Sequence, residues 1–151
     1  MSLRNKSREF ALQMLFQWEM GRQEPAALEV AFWKGARSEP ATREFANQLF
    51  EGTAAETARL DALIEKHADN WRVGRMSVID RAILRLAAYE LTRTSTPPKV
   101  VLDEAVELAK KFSGDEAAPF VNGVLDALAR SLGEIPGAAA AKNEEGSAEG
   151  N

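Results

Sequence analysis

Apolar residues recur along this chain at spacings of three and four, as in helices buried on one side, and no stretch alternates apolar and polar residues long enough to make a strand. Ala, Leu, Glu, Lys and Arg dominate, and all are good helix formers. The chain reads as all-α, with about seven helices. At about 100° per residue, a first helix over about 7 to 22 gathers Phe10, Ala11, Met14, Leu15 and Trp18 on one arc. Phe16 falls outside that arc, beside Glu9, Gln13 and Met20. Gly21 ends the helix, and Pro25 suits the first turn of a short second one holding Leu28, Phe32 and Trp33. After Ser38-Glu39-Pro40, a stripe of Phe45, Leu49, Leu60, Leu63, Ile64 and His67 predicts one long third helix. Gly52 inside it costs about 1 kcal/mol relative to alanine, which signals a close helix contact or a bend.

Asp69 to Arg75 reads as a joint between two halves, about 1–70 and 71–133, with Trp71 as a buried anchor. Ser77 can cap the next helix, and Asp80 in its first turn meets the positive end of the helix dipole. Ile79, Ile83, Leu86, Ala87 and Leu91 form its apolar face, and Arg81, Arg85, Tyr89 and Arg93 lie on the other. Glu90 projects into the middle of the apolar arc, where a carboxylate needs a charged or hydrogen-bonding partner. Thr94-Ser95-Thr96-Pro97-Pro98 breaks the helix. Val101, Ala105, Leu108 and Phe112 then stripe a sixth helix, and Val121, Val124, Leu125, Leu128 and Leu132 a seventh. No repeat of solenoid period is visible.

The 151 residues suit one ordinary domain, 1–133, or two tightly packed halves. Residues 134–151 hold four glutamates against one lysine among Ala, Gly, Ser and Asn, a local charge of −3, and read as a disordered tail. The net charge of −4 weighs against nucleic-acid binding by charge alone. Its distribution matters more, since the body is only −1 and basic residues gather in 1–22 and in 72–93. The absence of cysteine excludes disulfides and cysteine-ligated zinc. No apolar run is long enough to span a bilayer and the start lacks a signal-peptide core, so a cytoplasmic setting is expected, with no membrane partner.

Little here can do bond chemistry. The one histidine, His67, sits on an apolar stripe and reads as a packing or capping residue, and no Ser-His-Asp set forms around it. One histidine and no cysteine leave only carboxylates for a metal, and these lie on solvated helix faces. Asp103, Glu104 and Glu107 before Lys110 and Lys111 follow the acid-first, base-last pattern of a helix in its own dipole. Neither phosphate-loop nor dinucleotide glycine spacing occurs. The expectation is a protein that is not an enzyme, with no cofactor and no metal.

Binding is the more open question. Arg4, Lys6 and Arg8 are either a solvated chain start or a basic arm that contacts phosphates, which supplies affinity without sequence choice. Choice of sequence in single-stranded RNA needs stacking surfaces and base-edge contacts as well. Gln13, Phe16 and Phe120, at the rim of or off the core stripes, are candidates for these or for ordinary packing.

Five segments in order carry a resemblance. They are Arg4-Asn5-Lys6-Ser7-Arg8-Glu9, Ala11 to Trp18, Asp80 to Leu91, Asp103 to Phe112, and Pro119-Phe120-Val121-Asn122-Gly123-Val124-Leu125-Asp126. Together they resemble the NusB family of bacterial transcription antitermination factors over roughly residues 4 to 133. The resemblance implies two packed helical bundles, binding of single-stranded boxA RNA, pairing with the ribosomal protein NusE, and assembly on RNA polymerase during ribosomal RNA synthesis. It implies RNA contacts at Arg4, Lys6, Arg8, Phe16, Glu116 and Phe120, to which the place of Gln13 off the core arc adds a further candidate, and a NusE-facing surface including Phe16 and Asp80. Asn5 interrupts what is often a continuous basic run in the family, and Asp103 stands where an Asn is common. The same fold resembles the N-terminal domain of ribosomal RNA cytosine methyltransferases, a rival that needs a methyl-donor domain beyond residue 151. A helical homodimer without RNA is the third reading.

Overall fold

A computed structural model describes residues 3–69 and 72–133 of the chain. Seven α-helices and one short 3-10 turn make up the described residues, with no strand among them: α1 (Leu3–Gly21), α2 (Pro25–Lys34), α3 (Pro40–Ala55), α4 (Thr57–His67), the turn Val73–Arg75, α5 (Val78–Arg93), α6 (Pro98–Phe112) and α7 (Ala117–Ser131). Trp71 and the tail 134–151 lie outside the described residues.

The predicted stripes become one core. Phe10, Ala11, Met14 and Leu15 of α1 are buried with Leu49 and Phe50 of α3, Ile83, Leu86 and Ala87 of α5, Val101 and Leu108 of α6, and Val121, Leu125 and Leu128 of α7. The expected cap at Ser77 is present, its Oγ accepting from the Asp80 N–H at 3.1 Å. At Gly52 a methyl group would overlap the Tyr89 ring, so α3 and α5 approach each other through this glycine.

Three elements depart from the sequence reading. The long third helix is two helices, α3 and α4. At the junction, the Thr57 hydroxyl donates to the carbonyls of Thr53 (3.2 Å) and Ala54 (3.0 Å), a back-bond that competes with the helical ladder and bends the chain. The first helix begins at Leu3 rather than near residue 7, because its first turns are tied to α3: the Ser7 hydroxyl donates to the Thr42 carbonyl at 2.9 Å, and the Arg4 guanidinium lies 3.8 Å from the Phe45 ring centre. The polar face read on α5 is not a free basic face. This helix packs against α1, α3, α4, α6 and α7. A helix surrounded in that way must be apolar on almost every side or pair its charges. Arg81 and Arg85 accordingly bond Glu19, Arg85 also bonds Asp61, and Arg93 bonds Glu56.

These pairs fix the direction of α1. Arg8, near its start, meets Glu90 near the end of α5, and Glu19, near its end, meets Arg81 and Arg85. The two helices therefore run antiparallel across the middle of the molecule.

Candidate nucleic-acid interface

The helical start of α1 turns Lys6 about 200° away from Arg4 and from Arg8, which lie four residues apart on one face beside Phe45. Arg8 is the correction among the candidate phosphate contacts. It is 3% exposed, and its Nε and Nη2 donate to Glu90 Oε1 and Oε2 at 2.8 and 2.6 Å. Glu90, 1% exposed, thus has the charged partner its place in the apolar arc demands, and that partner is withdrawn from the surface. Arg4 and Lys6 remain exposed. Arg4 is held over Phe45, while Lys6 Nζ stands 3.8 Å from Glu9 Oε1 and 5.3 Å from the Phe10 ring centre.

Lys6, Glu9, Gln13, Phe16 and Met20 fall on one face of α1, spaced by threes and fours. Gln13 is exposed, Phe16 is 37% exposed and Met20 62%. The same face carries a residue that sequence reasoning missed. Lys111, at the end of α6, donates to Glu9 Oε2 at 2.8 Å while remaining half-exposed, and so adds a cation beside Lys6. Lys111 read only as the base at the end of its helix, and 102 residues separate it from Glu9. The one available signal was Glu9 itself, an acid inside a basic start.

Asp80, Glu116 and Phe120 come together. They line one cleft of about 440 Å3 with Arg75, Met76, Ser77, Ser113 and Ala117, between the start of α5 and the start of α7. Residues expected to face two different partners therefore share one hollow. The sequence places Asp80 at the positive end of the helix dipole and the resemblance gives it to NusE; Ser77 does bond its backbone. Its carboxylate has a further capacity, because Oδ1 is buried and meets no protein donor. Phe120 is half-buried at the edge of the core, as its place on the last stripe predicts, and Glu116 is exposed.

Charge is also organised beneath this surface. Burial alone would raise the Glu19 carboxyl, but Arg81 and Arg85 outweigh it and hold the group below its usual range. Among the described residues no group of His, Asp and Glu is arranged to hold a metal ion, and no helix is long and apolar enough to cross a membrane.

Known proteins share this architecture. The family model described as the NusB family matches residues 5–130. The transcription antitermination protein NusB of Sorangium cellulosum is 43% identical over 136 residues, which are 89% of this chain and 97% of that protein. The protein of the same name from Koribacter versatilis is 47% identical over 131 residues, 85% and 90% of the two chains. Among solved structures, a crystal structure of the antitermination factors NusB and NusE in complex with dsRNA superposes with a TM-score of 0.75 at 30% identity, covering 85% of this chain and 97% of the other. With its family model matched over most of its length and its helices superposing on a solved member, the chain belongs to the NusB family.

Proposed function

We propose that this protein is a transcription antitermination factor that binds boxA RNA together with NusE and promotes assembly of the antitermination complex on RNA polymerase in ribosomal RNA operons. The observation that carries the reading is the likeness, over most of both chains, to a NusB solved with NusE and RNA. Its setting is the cytoplasm and its mechanism is recruitment, with no bond made or broken.

The surface supports a division of labour. Arg4, Lys6 and Lys111 supply cations for phosphates, and Gln13, Phe16 and Phe120 supply amide and aromatic surface for bases. Phe16 and Asp80 face NusE, Asp80 from the cleft at the start of α5. Glu116 lies beside Phe120 in the cleft and contacts the RNA. A second reading has one observation in its favour. Phe16 and Met20 expose apolar surface in adjacent turns of α1, which a second copy of the chain could cover.

The test is a titration of boxA RNA and a scrambled RNA of the same composition, with and without NusE, alongside light scattering of the free protein. Preference for boxA in the presence of NusE is expected. Equal binding of both RNAs with NusE present would overturn the reading, and a stable dimer that NusE cannot dissociate would favour the second one.

A further inference from the structure

At the opposite end of α5 from the Asp80 cleft, about 24 Å away for a helix of 16 residues, lies a second hollow of which the function described so far uses only Arg4. It has a volume of about 360 Å3 and is lined by Arg4, Asn5 and Arg8 of α1, Ser95, Thr96 and Pro97 of the α5–α6 turn, and Val100 and Glu104 of α6. That size lies within the range of small-ligand pockets, about 300–1,000 Å3.

Its walls differ in chemistry. Pro97 and Val100 are apolar, and Val100 is 41% exposed, one of few large apolar side chains left open. Arg4 is an exposed cation, fixed in place by its stacking on Phe45 rather than free to wander. The half-buried carboxyl of Glu104 stands opposite, hydrogen-bonded by the Asn5 side chain. Burial pushes this carboxyl up, Arg8 opposes the rise, and the nearby Glu107 and Glu90 add to it. A bare anion does not fit, because the carboxylate repels it. A purely apolar ligand does not fit either, because the cation and the carboxyl would lose water without return. The combination suits a ligand with a negative end, a flat apolar body and a hydrogen-bond donor at its far edge, which is the chemistry of one unstacked nucleotide.

We infer that this hollow between the start of α1 and the α5–α6 turn takes one unpaired base of the bound RNA, with Arg4 on its phosphate, Val100 and Pro97 against its face, and Glu104 accepting a hydrogen bond from its exocyclic amino group. The assignment rests on the RNA-binding reading above and adds to it a residue that chooses sequence, where the cations supply only affinity. Glu104 thereby acquires a role beyond the helix-dipole pattern in which it first reads.

The experiment uses the full chain with NusE and a boxA RNA in which each amino-bearing base is replaced, one at a time, by its analogue lacking the amino group: inosine for guanosine, purine riboside for adenosine, the 4-deamino pyrimidine for cytidine. Wild-type protein is expected to lose roughly tenfold or more in affinity at one position, the loss of a hydrogen bond to a charged acceptor. Glu104→Ala, a change to a better helix former on a partly exposed face, is expected to keep its melting temperature and to bind both RNAs of that pair equally. Glu104→Gln retains an acceptor and is expected to keep part of the discrimination. Equal binding of all analogues by the wild type, or an undiminished penalty in Glu104→Ala, would overturn the inference while boxA preference itself stands. A Glu104→Ala protein that loses affinity for NusE alone, with RNA discrimination unchanged, would assign the hollow to the protein partner and overturn it as well. Failure of the wild type to prefer boxA over scrambled RNA would instead be the failure of the underlying reading.

Discussion

The two ends of the α1–α5 contact hold charge in opposite ways. At one end Arg8 and Glu90 form a single bidentate pair, both side chains almost wholly removed from water. At the other, Glu19 is shared between Arg81 and Arg85, and Arg85 is shared in turn with Asp61, all four groups keeping some contact with solvent. The isolated pair is almost wholly cut off from water, and the Glu104 carboxyl that Arg8 also influences stands outside the bidentate contact. The network has both alternative partners and solvent. Losing one member should therefore be severe at the first end and modest at the second, although the network contains more ion pairs.

The sharpest break in that comparison is Glu90→Ala, which leaves the Arg8 guanidinium buried without its carboxylate. Destabilisation of about 3–5 kcal/mol is expected, read as a large drop in the denaturant midpoint. The paired change Arg8→Met with Glu90→Met removes both charges and fills similar volume, so its stability should return to near or above wild type. A double variant as damaged as Glu90→Ala would show that the pair contributes more than the cancellation of its own desolvation.

Arg85→Ala tests the other end. The loss should be smaller, about 1–2 kcal/mol, because Arg81 still holds Glu19 and water can reach Asp61. Chemical denaturation of the two single variants side by side decides the order, and a cost at Arg85 equal to that at Glu90 would erase the distinction between burial and networking.

Acidity separates the regions further. Glu19 is held below its usual value of 4.5 by its arginines. Its contribution is present above that value and is lost as pH falls through the depressed one, so Glu19→Gln should be less stable than wild type at neutral pH and the gap should close only in strong acid. Glu29, on α2, behaves in the reverse sense. Burial first, then a hydrogen bond and repulsion from Glu51 and repulsion from Glu24, push it up to about 8. Its neutral form contributes stability fully present below 4.5 and lost as pH rises through about 8. The melting temperature of Glu29→Gln relative to wild type should therefore rise between those pH values, whereas Glu19→Gln should show no such trend.

The smallest effects belong to the surface. Lys6→Ala and Lys111→Ala should leave the melting temperature nearly unchanged while each lowers the slope of log affinity for RNA against log salt by about 0.7. An unchanged slope in both would move the phosphate path away from this face of α1.

Much of this was legible in the residues and some was not, for identifiable reasons. Periodicity marks the buried faces of α1, α6 and α7, because a helix with one wet side must display its dry side every three or four positions. The need of Glu90 for a cation follows from its position alone. The identity of that cation does not, because Arg8 lies 82 residues away and sits in a run that reads as one basic patch. The interruption at Glu56 was hidden for a similar reason, since the Thr57 back-bond that bends the chain leaves the apolar stripe continuous across it. At the candidate interface, Phe16 was legible as an aromatic off the core arc. Lys111 and the hollow at Glu104 depend on which helices become neighbours, and no local pattern records that.

The distance in sequence between Arg8 and Glu90 also has a consequence in time. During synthesis at about 5–20 residues per second, the arginine precedes its partner by roughly 4–16 seconds, a gap set by the 82 residues between them. Within that interval α1 can begin to pack on α3, which is made before α5, but its Arg8 does not yet have Glu90 to meet. Closure of the α1–α5 contact thus waits for α5, and the basic start of α1 remains open to other anions until it happens.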